Sequence, residues 1–130
     1  MAKKMLLIGW DAADWQLIHP MMEKGEMPAF KYLVENGISG NLATLEPVFS
    51  PMLWTSIASG KYADKHGVLG FIEPDYSNGG VKPVSTFSRK TAAIWNILSH
   101  EKFKCNLLGW WPSHPVESIN GCMVSNMYQQ

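Results

Sequence analysis

Apolar residues run from Met5 to Trp10 and give way at once to Asp11-Ala12-Ala13-Asp14. So short a run predicts a buried strand over 4–10 that delivers an aspartate at its C-terminal end. Asp14 is placed to cap a helical stretch, which Pro20 should interrupt and Gly25 should stop. Pro28 at a first helical position, then Phe30, Leu33 and Val34 at helical spacing, then Gly37, predict a second helix. Residues 38–45 read as a strand and 47–50 as a loop. Pro51 opens a third helix whose Leu53, Trp54, Ile57 and Ala58 share one apolar face, closed by Gly60.

From Gly70 to Phe87 the periodicity dissolves into Pro74, Asp75, Ser77, Asn78, Gly79, Gly80 and Pro83, a composition that favours turns. Residues 70–87 are therefore expected to form a long loop excursion, as a lid or a plain surface loop. Ser88 is placed to cap a helix with Ala92, Ile94, Trp95 and Leu98 on its apolar side. Strands are expected over 105–109 and 122–125. Strands alternating with helices give an α/β fold with a mainly parallel sheet flanked by helices, in one domain over 1–130. The last residues, Val124 to Gln130, follow a predicted strand with no helix after them, so the chain reads as cut short.

Composition narrows the partners. The 130 residues are 46% hydrophobic and carry eleven basic against eleven acidic groups, so no long-range field draws nucleic acid or an anionic membrane. An anionic ligand has to be caught locally. The apolar start is shorter than a signal segment and no stretch is long enough to cross a bilayer, which makes the cytoplasm the expected location. Cys105 and Cys122 lack metal-ligand spacing and read as buried free thiols.

Two residues stand out for chemistry. Ligands of open parallel sheets collect outside the C-terminal strand ends, where Asp11 is expected; its carboxylate suits a divalent metal such as zinc or manganese. The alternative is that Asp11, like Asp14, caps the following helix. Ser50, just before Pro51, would lie beside the unpaired N–H groups and positive dipole end of a helix, a place suited to an attacking alkoxide and a bound phosphoryl group. Read alone, Ser-Pro is also an ordinary N-cap followed by an N1 proline.

Several separated motifs bear on that choice: Leu6-Leu7-Ile8-Gly9-Trp10-Asp11, Met27-Pro28 through Leu33 to Gly37, Phe49-Ser50-Pro51-Met52-Leu53-Trp54-Thr55-Ser56-Ile57-Ala58-Ser59-Gly60, and His66-Gly67. In order and spacing they resemble the opening of the type I phosphodiesterase and nucleotide pyrophosphatase group of the alkaline phosphatase superfamily. Thr91-Ala92-Ala93-Ile94-Trp95 and Gly109-Trp110-Trp111-Pro112 resemble the segments that follow, so the likeness spans nearly the whole chain. The resemblance implies a hydrolase of phosphoesters, most readily diesters, with two divalent metal ions, usually zinc. Asp11 would bind one metal and Ser50 would be both metal ligand and nucleophile, passing through a phosphoseryl intermediate.

The likeness also has departures. Nucleotide pyrophosphatases place an asparagine twenty-one residues after the nucleophile, and that position is Phe71 here. The family's remaining Asp and His ligands come from later parts of a longer chain; the 130 residues alone are expected to bind metal weakly and turn over little. His66 is expected to be a structural hydrogen-bonding histidine, and His19, His100 and His114 surface or loop residues. Trp54, four residues after Ser50, either lines a substrate pocket or belongs to the core, and Trp111, with Trp110, is placed to form a substrate wall. Arg89 and Lys90 could meet a phosphate but read better as a solvated face. A phosphomutase or phosphonate hydrolase would share the scaffold, whereas a sulfatase would need a Cys/Ser-x-Pro-x-Arg motif that Ser50-Pro51-Met52-Leu53-Trp54 lacks. The rival from another class is a non-catalytic anion-binding α/β module. The small-molecule phosphoester expected as substrate leaves the oligomeric state open.

Overall fold

The computed structural model describes residues 4–128, so the last two residues of the expected closing segment, Gln129 and Gln130, lie outside it. The chain divides into two compact units, Met1–Ala43 and Thr44–Gln130.

The first unit holds two helices. α1 spans Trp15–Glu23 and starts as expected, with the Asp14 carboxylate accepting the Gln16 N–H at 2.8 Å. Pro20 lies inside α1 and does not break it. Only the bond its missing N–H would make is lost, and Ile18 and Met22, one turn apart, bury the same face across it. Gly25, at φ 78°, ends the helix in a left-handed conformation that suits glycine. α2 spans Pro28–Asn36 with proline in its first turn and Gly37 as its C-cap. Trp10 and Trp15 both meet Phe30, with ring centroids 6.0 and 6.1 Å apart.

Residues 4–10 and 38–45, expected as strands, carry no regular structure. A strand needs a neighbour for its N–H and C=O groups, and no ladder reaches either segment among the described residues. Their apolar side chains, Leu6, Ile8, Ile38 and Leu42 among them, stay exposed.

The second unit is built on α3 (Ser50–Ser59), α4 (Ala63–His66) and α5 (Ile94–His100). Gly60 closes α3 at φ 64°, its N–H donating to the Ser56 carbonyl. The buried face of α3 is Pro51, Met52, Thr55 and Ala58, and Ile57 is exposed. The helix therefore turns a more polar side inward than its sequence advertises. It can do so because the Thr55, Ser56 and Ser59 hydroxyls donate to the carbonyls one turn back, at 2.6, 3.0 and 2.7 Å. Trp95 is 2% exposed and with Ala58 and Ala93 forms the core, against which Cys105, Leu107, Trp110, Ile119 and Met123 pack. Ser88 does not cap α5. It closes a 3-10 turn, Thr86–Ser88, in a reciprocal box with Ser85, and Asn96 receives the Ala93 N–H at the start of α5.

Two small sheets complete the unit. The excursion contains an antiparallel hairpin, β1 (Ile72–Pro74) with β2 (Val81–Pro83). Its turn is organised by Asp75, which accepts from the Ser77 N–H and hydroxyl and from Asn78; these bonds lower its carboxyl pKa to about 2. β3 (Leu107–Leu108) pairs in parallel with β4 (Met123–Val124), Leu107 opposite Met123. The fold is thus a mixture of helices with small sheets, compatible with α/β, and among the described residues the parallel pairing is this one pair. Both cysteines are free; Cys105 is half-buried and Cys122, expected inside, is exposed. Among the described residues no helix is long and apolar enough to cross a membrane.

Candidate active site

Ser50 is the first residue of α3. The capping position falls on Phe49, whose carbonyl accepts the Leu53 N–H at 3.0 Å and whose side chain makes no cap. Of the two readings of Ser-Pro, the structure thus departs from the plain serine cap: the serine has moved one place into the helix, with Pro51 behind it. The first-turn N–H groups have no carbonyl within the helix to bond, and the positive dipole end lies here. Ser50, half-buried, is the residue at that end.

Asp11 belongs to the first unit and Ser50 to the second. Asp11 is exposed, in a turn where Ala12 takes φ 54°, a left-handed conformation that costs a residue with a Cβ about 1 kcal/mol. The helix cap that Asp11 competed for is made by Asp14.

Around the start of α3 the second unit gathers aromatic rings. Trp54, one turn after Ser50, is half-buried; the Trp110 indole N–H donates to its carbonyl at 3.1 Å and the two rings meet edge to face at 5.1 Å. Trp110 in turn leans on the core Trp95 at 6.0 Å. Trp54 is thus tied to the core by its backbone and ring. Trp111 points into a second set: it meets Phe71 at 5.2 Å, and Phe71 meets Phe49 at 6.0 Å, both near edge-to-face. Phe49 and Phe71 went unassigned as lining residues in the sequence because nothing in local periodicity signals a contact across twenty-two positions.

His66 is fully buried. Its Nδ1 accepts the Val68 N–H at 3.1 Å, so the ring proton sits on Nε2 and is donated to Ser56 Oγ, 3.0 Å away. The Ser56 hydroxyl in turn donates to the Met52 carbonyl at 3.0 Å. This chain ties α4 to α3, and burial lowers the histidine's pKa against the weaker opposing pull of Asp64. The expected structural role fits this geometry. His19, His100 and His114 are exposed.

Arg89 is neither a phosphate contact nor a solvated face. Its side chain is 6% exposed, donates from Nη2 to both Glu117 oxygens at 2.7 Å, and lies over the Trp95 ring at 5.4 Å. It also donates to Asn96 and to the Thr91 carbonyl. Glu117 further accepts from the Trp95 indole at 2.7 Å and from Asn96. Of the two residues read as a solvated face, Lys90 is exposed, whereas Arg89 braces the core, because its partner sits twenty-eight positions away.

Asp11 and Ser50 offer two oxygen donors, and a catalytic zinc asks for at least three protein ligands. Among the described residues there is no group of three or more His, Cys, Asp or Glu that could hold a metal ion. The donors described do not by themselves fit a complete metal site.

The family model of type I phosphodiesterase / nucleotide pyrophosphatase matches residues 5–129. No curated protein and no solved structure matches the sequence.

Proposed function

The chain belongs to the type I phosphodiesterase/nucleotide pyrophosphatase family, and from that premise we propose that it serves a phosphoester hydrolase, acting on diesters, in which Ser50 attacks phosphorus. The observation that carries this reading is the position of Ser50 within the family match, at the first residue of α3, where the helix end favours negative charge. In the proposed reaction Ser50 Oγ gives up its proton to solvent and forms a bond to phosphorus in line with the departing ester oxygen, which takes one proton back from solvent. The bond to that oxygen breaks and it leaves as the alcohol once protonated. Water then cleaves the phosphoseryl ester and restores the hydroxyl. The positive end of α3, where Ser50 is half-buried, faces the phosphoryl group in this reading, and Trp54 and Trp111 belong to the wall beside it.

Metal dependence is part of the proposal, with two divalent ions, zinc or manganese, and Asp11 among the ligands. Bound metal would supply charge to the reacting oxygens. Since the described residues fall short of a full ligand set, no step is assigned to it. A mainly parallel sheet, with segments 4–10 and 38–45 as further strands, belongs to the same proposal and accounts for their exposed apolar side chains.

Ser50→Ala in the full-length protein is expected to remove hydrolysis of bis(p-nitrophenyl) phosphate; near-normal turnover would sink the assignment. Rates on mono-, di- and phosphonate esters separate the diesterase from a phosphomutase or phosphonate hydrolase. The incomplete ligand set favours, as a second reading, an anion-binding module without chemistry. Metal analysis of the full-length protein decides between them: the hydrolase holds about two ions per chain, and the module retains none after dialysis.

A further inference from the structure

Resting on Ser50 as the attacking group, we propose that His66 is a positioning residue for it, acting through Ser56 on the peptide plane that joins Phe49 to Ser50. The link is a run of hydrogen bonds that all point the same way. The Val68 N–H donates to His66 Nδ1 at 3.1 Å, His66 Nε2 donates to Ser56 Oγ at 3.0 Å, and the Ser56 hydroxyl donates to the Met52 carbonyl at 3.0 Å. That carbonyl and the Leu53 N–H are the two ends of one rigid peptide group. The Leu53 N–H donates to the Phe49 carbonyl at 3.0 Å, and the other end of that peptide group is the N–H of Ser50.

The direction of the relay is fixed at its head. A backbone N–H has only a proton to offer Nδ1, so the ring proton sits on Nε2, and the Ser56 proton is left for the carbonyl. Each member accepts on one side and donates on the other, so each bond polarises and strengthens the next, by about 10–30% per bond, and no proton moves along it. The head is also anchored outside α3. His66 is fully buried, its carbonyl accepts the Lys90 N–H at 2.9 Å, and the Lys90 stem lies over Gly67, where a Cβ would meet it at 3.0 Å. The first turn of a helix frays readily, because its N–H groups find no carbonyl within the helix. Here that turn is tied, through Met52 and Leu53, to the body of the unit. An attacking oxygen has to be held to a fraction of an ångström for in-line attack, and the relay constrains the backbone that carries it.

The test uses the full-length protein and bis(p-nitrophenyl) phosphate. Ser56→Ala breaks the relay in the middle and should lower kcat about tenfold with KM within about twofold of wild type. His66→Asn keeps an acceptor for Val68 but is too short to reach Ser56, and should show the same loss. His66→Gln carries an amide N–H to the place of Nε2 and should recover to within about threefold of wild type. An unchanged kcat in Ser56→Ala, or a glutamine variant no better than the asparagine one, overturns the positioning role. Ser56→Ala removes a single hydroxyl, so it carries the test even where a histidine variant fails to fold. Hydrogen exchange stands apart from turnover. The Leu53 amide should exchange about fivefold faster in Ser56→Ala than in wild type, while Gly60, whose N–H donates to the Ser56 carbonyl at 2.8 Å at the other end of α3, keeps its rate. If Leu53 exchanges alike in both proteins, the relay is wrong whichever residue attacks; if Leu53 follows Ser56 while Ser50→Ala still turns over, the relay stands and the nucleophile is wrong.

Discussion

His66 is held in one neutral tautomer by contacts on both ring nitrogens, and burial disfavours its charged form. The sign of its pH effect follows. Above the free value of 6.5 the ring is neutral folded or unfolded; as pH falls through that value the unfolded chain takes up a proton that the folded ring resists. Stability should therefore decline below about pH 6.5 until the lowered folded pKa is passed. Urea midpoints from pH 8 to pH 5 check this, and the decline should be shallower in His66→Asn. Glu117 makes a different residue-scale case. Glu117→Ala leaves the Arg89 guanidinium buried and removes the acceptor of the Trp95 indole, so a loss of about 3–5 kcal/mol is expected in chemical denaturation. A loss below about 1 kcal/mol would show that water replaces the carboxylate. At this scale the sequence showed its chemistry unevenly. The Asp14 cap was legible from neighbours in the chain and the structural role of His66 from the family resemblance, whereas Arg89 was misread because Glu117 is remote.

Among the elements, the helices follow their sequence signals closely at the ends and less closely on their faces. Proline in the first turn of α2 and α3 and glycine after α1 and α3 mark termini that depend on local backbone preference alone. Which face of α3 goes inward is settled by what packs on it, and hydroxyls satisfied within the helix count there as apolar surface. The excursion over 70–87 was legible as turn-rich and not as a hairpin, since three-residue strands have too few positions to show alternation. The β3–β4 pair offers a sharp test. A Cβ at Gly121 would overlap the Cys105 carbonyl oxygen, which is backbone and cannot swing aside. Gly121→Ala should destabilise the protein by about 1–3 kcal/mol by forcing the strands apart, with loss of amide protection at Leu107 and Gly109, whose N–H groups donate to the Cys122 and Val124 carbonyls. Unchanged protection would mean that the strands shift without cost.

For the whole molecule, the division into two units predicts uneven protection from hydrogen exchange. Amides of α3, α5 and β3 should exchange slowest, and those of residues 4–10 and 38–43, which enter no ladder among the described residues, within the fastest class. Slow exchange in residues 4–10 of the full-length protein would instead support their place in a larger parallel sheet. Treating the full-length protein with a chelator should remove diester hydrolysis, and zinc or manganese should restore it; activity that survives complete metal removal would overturn metal dependence. The sequence by itself determined what depends on near neighbours and on motif order: helix ends, the aspartate after an apolar run, the serine before a proline, and the family. The tertiary structure alone decided which side chains meet across long separations. It built the Phe49–Phe71–Trp111 wall, the Arg89–Glu117 brace and the inward face of α3, because those contacts arise from packing between elements, and linear spacing carries no record of it.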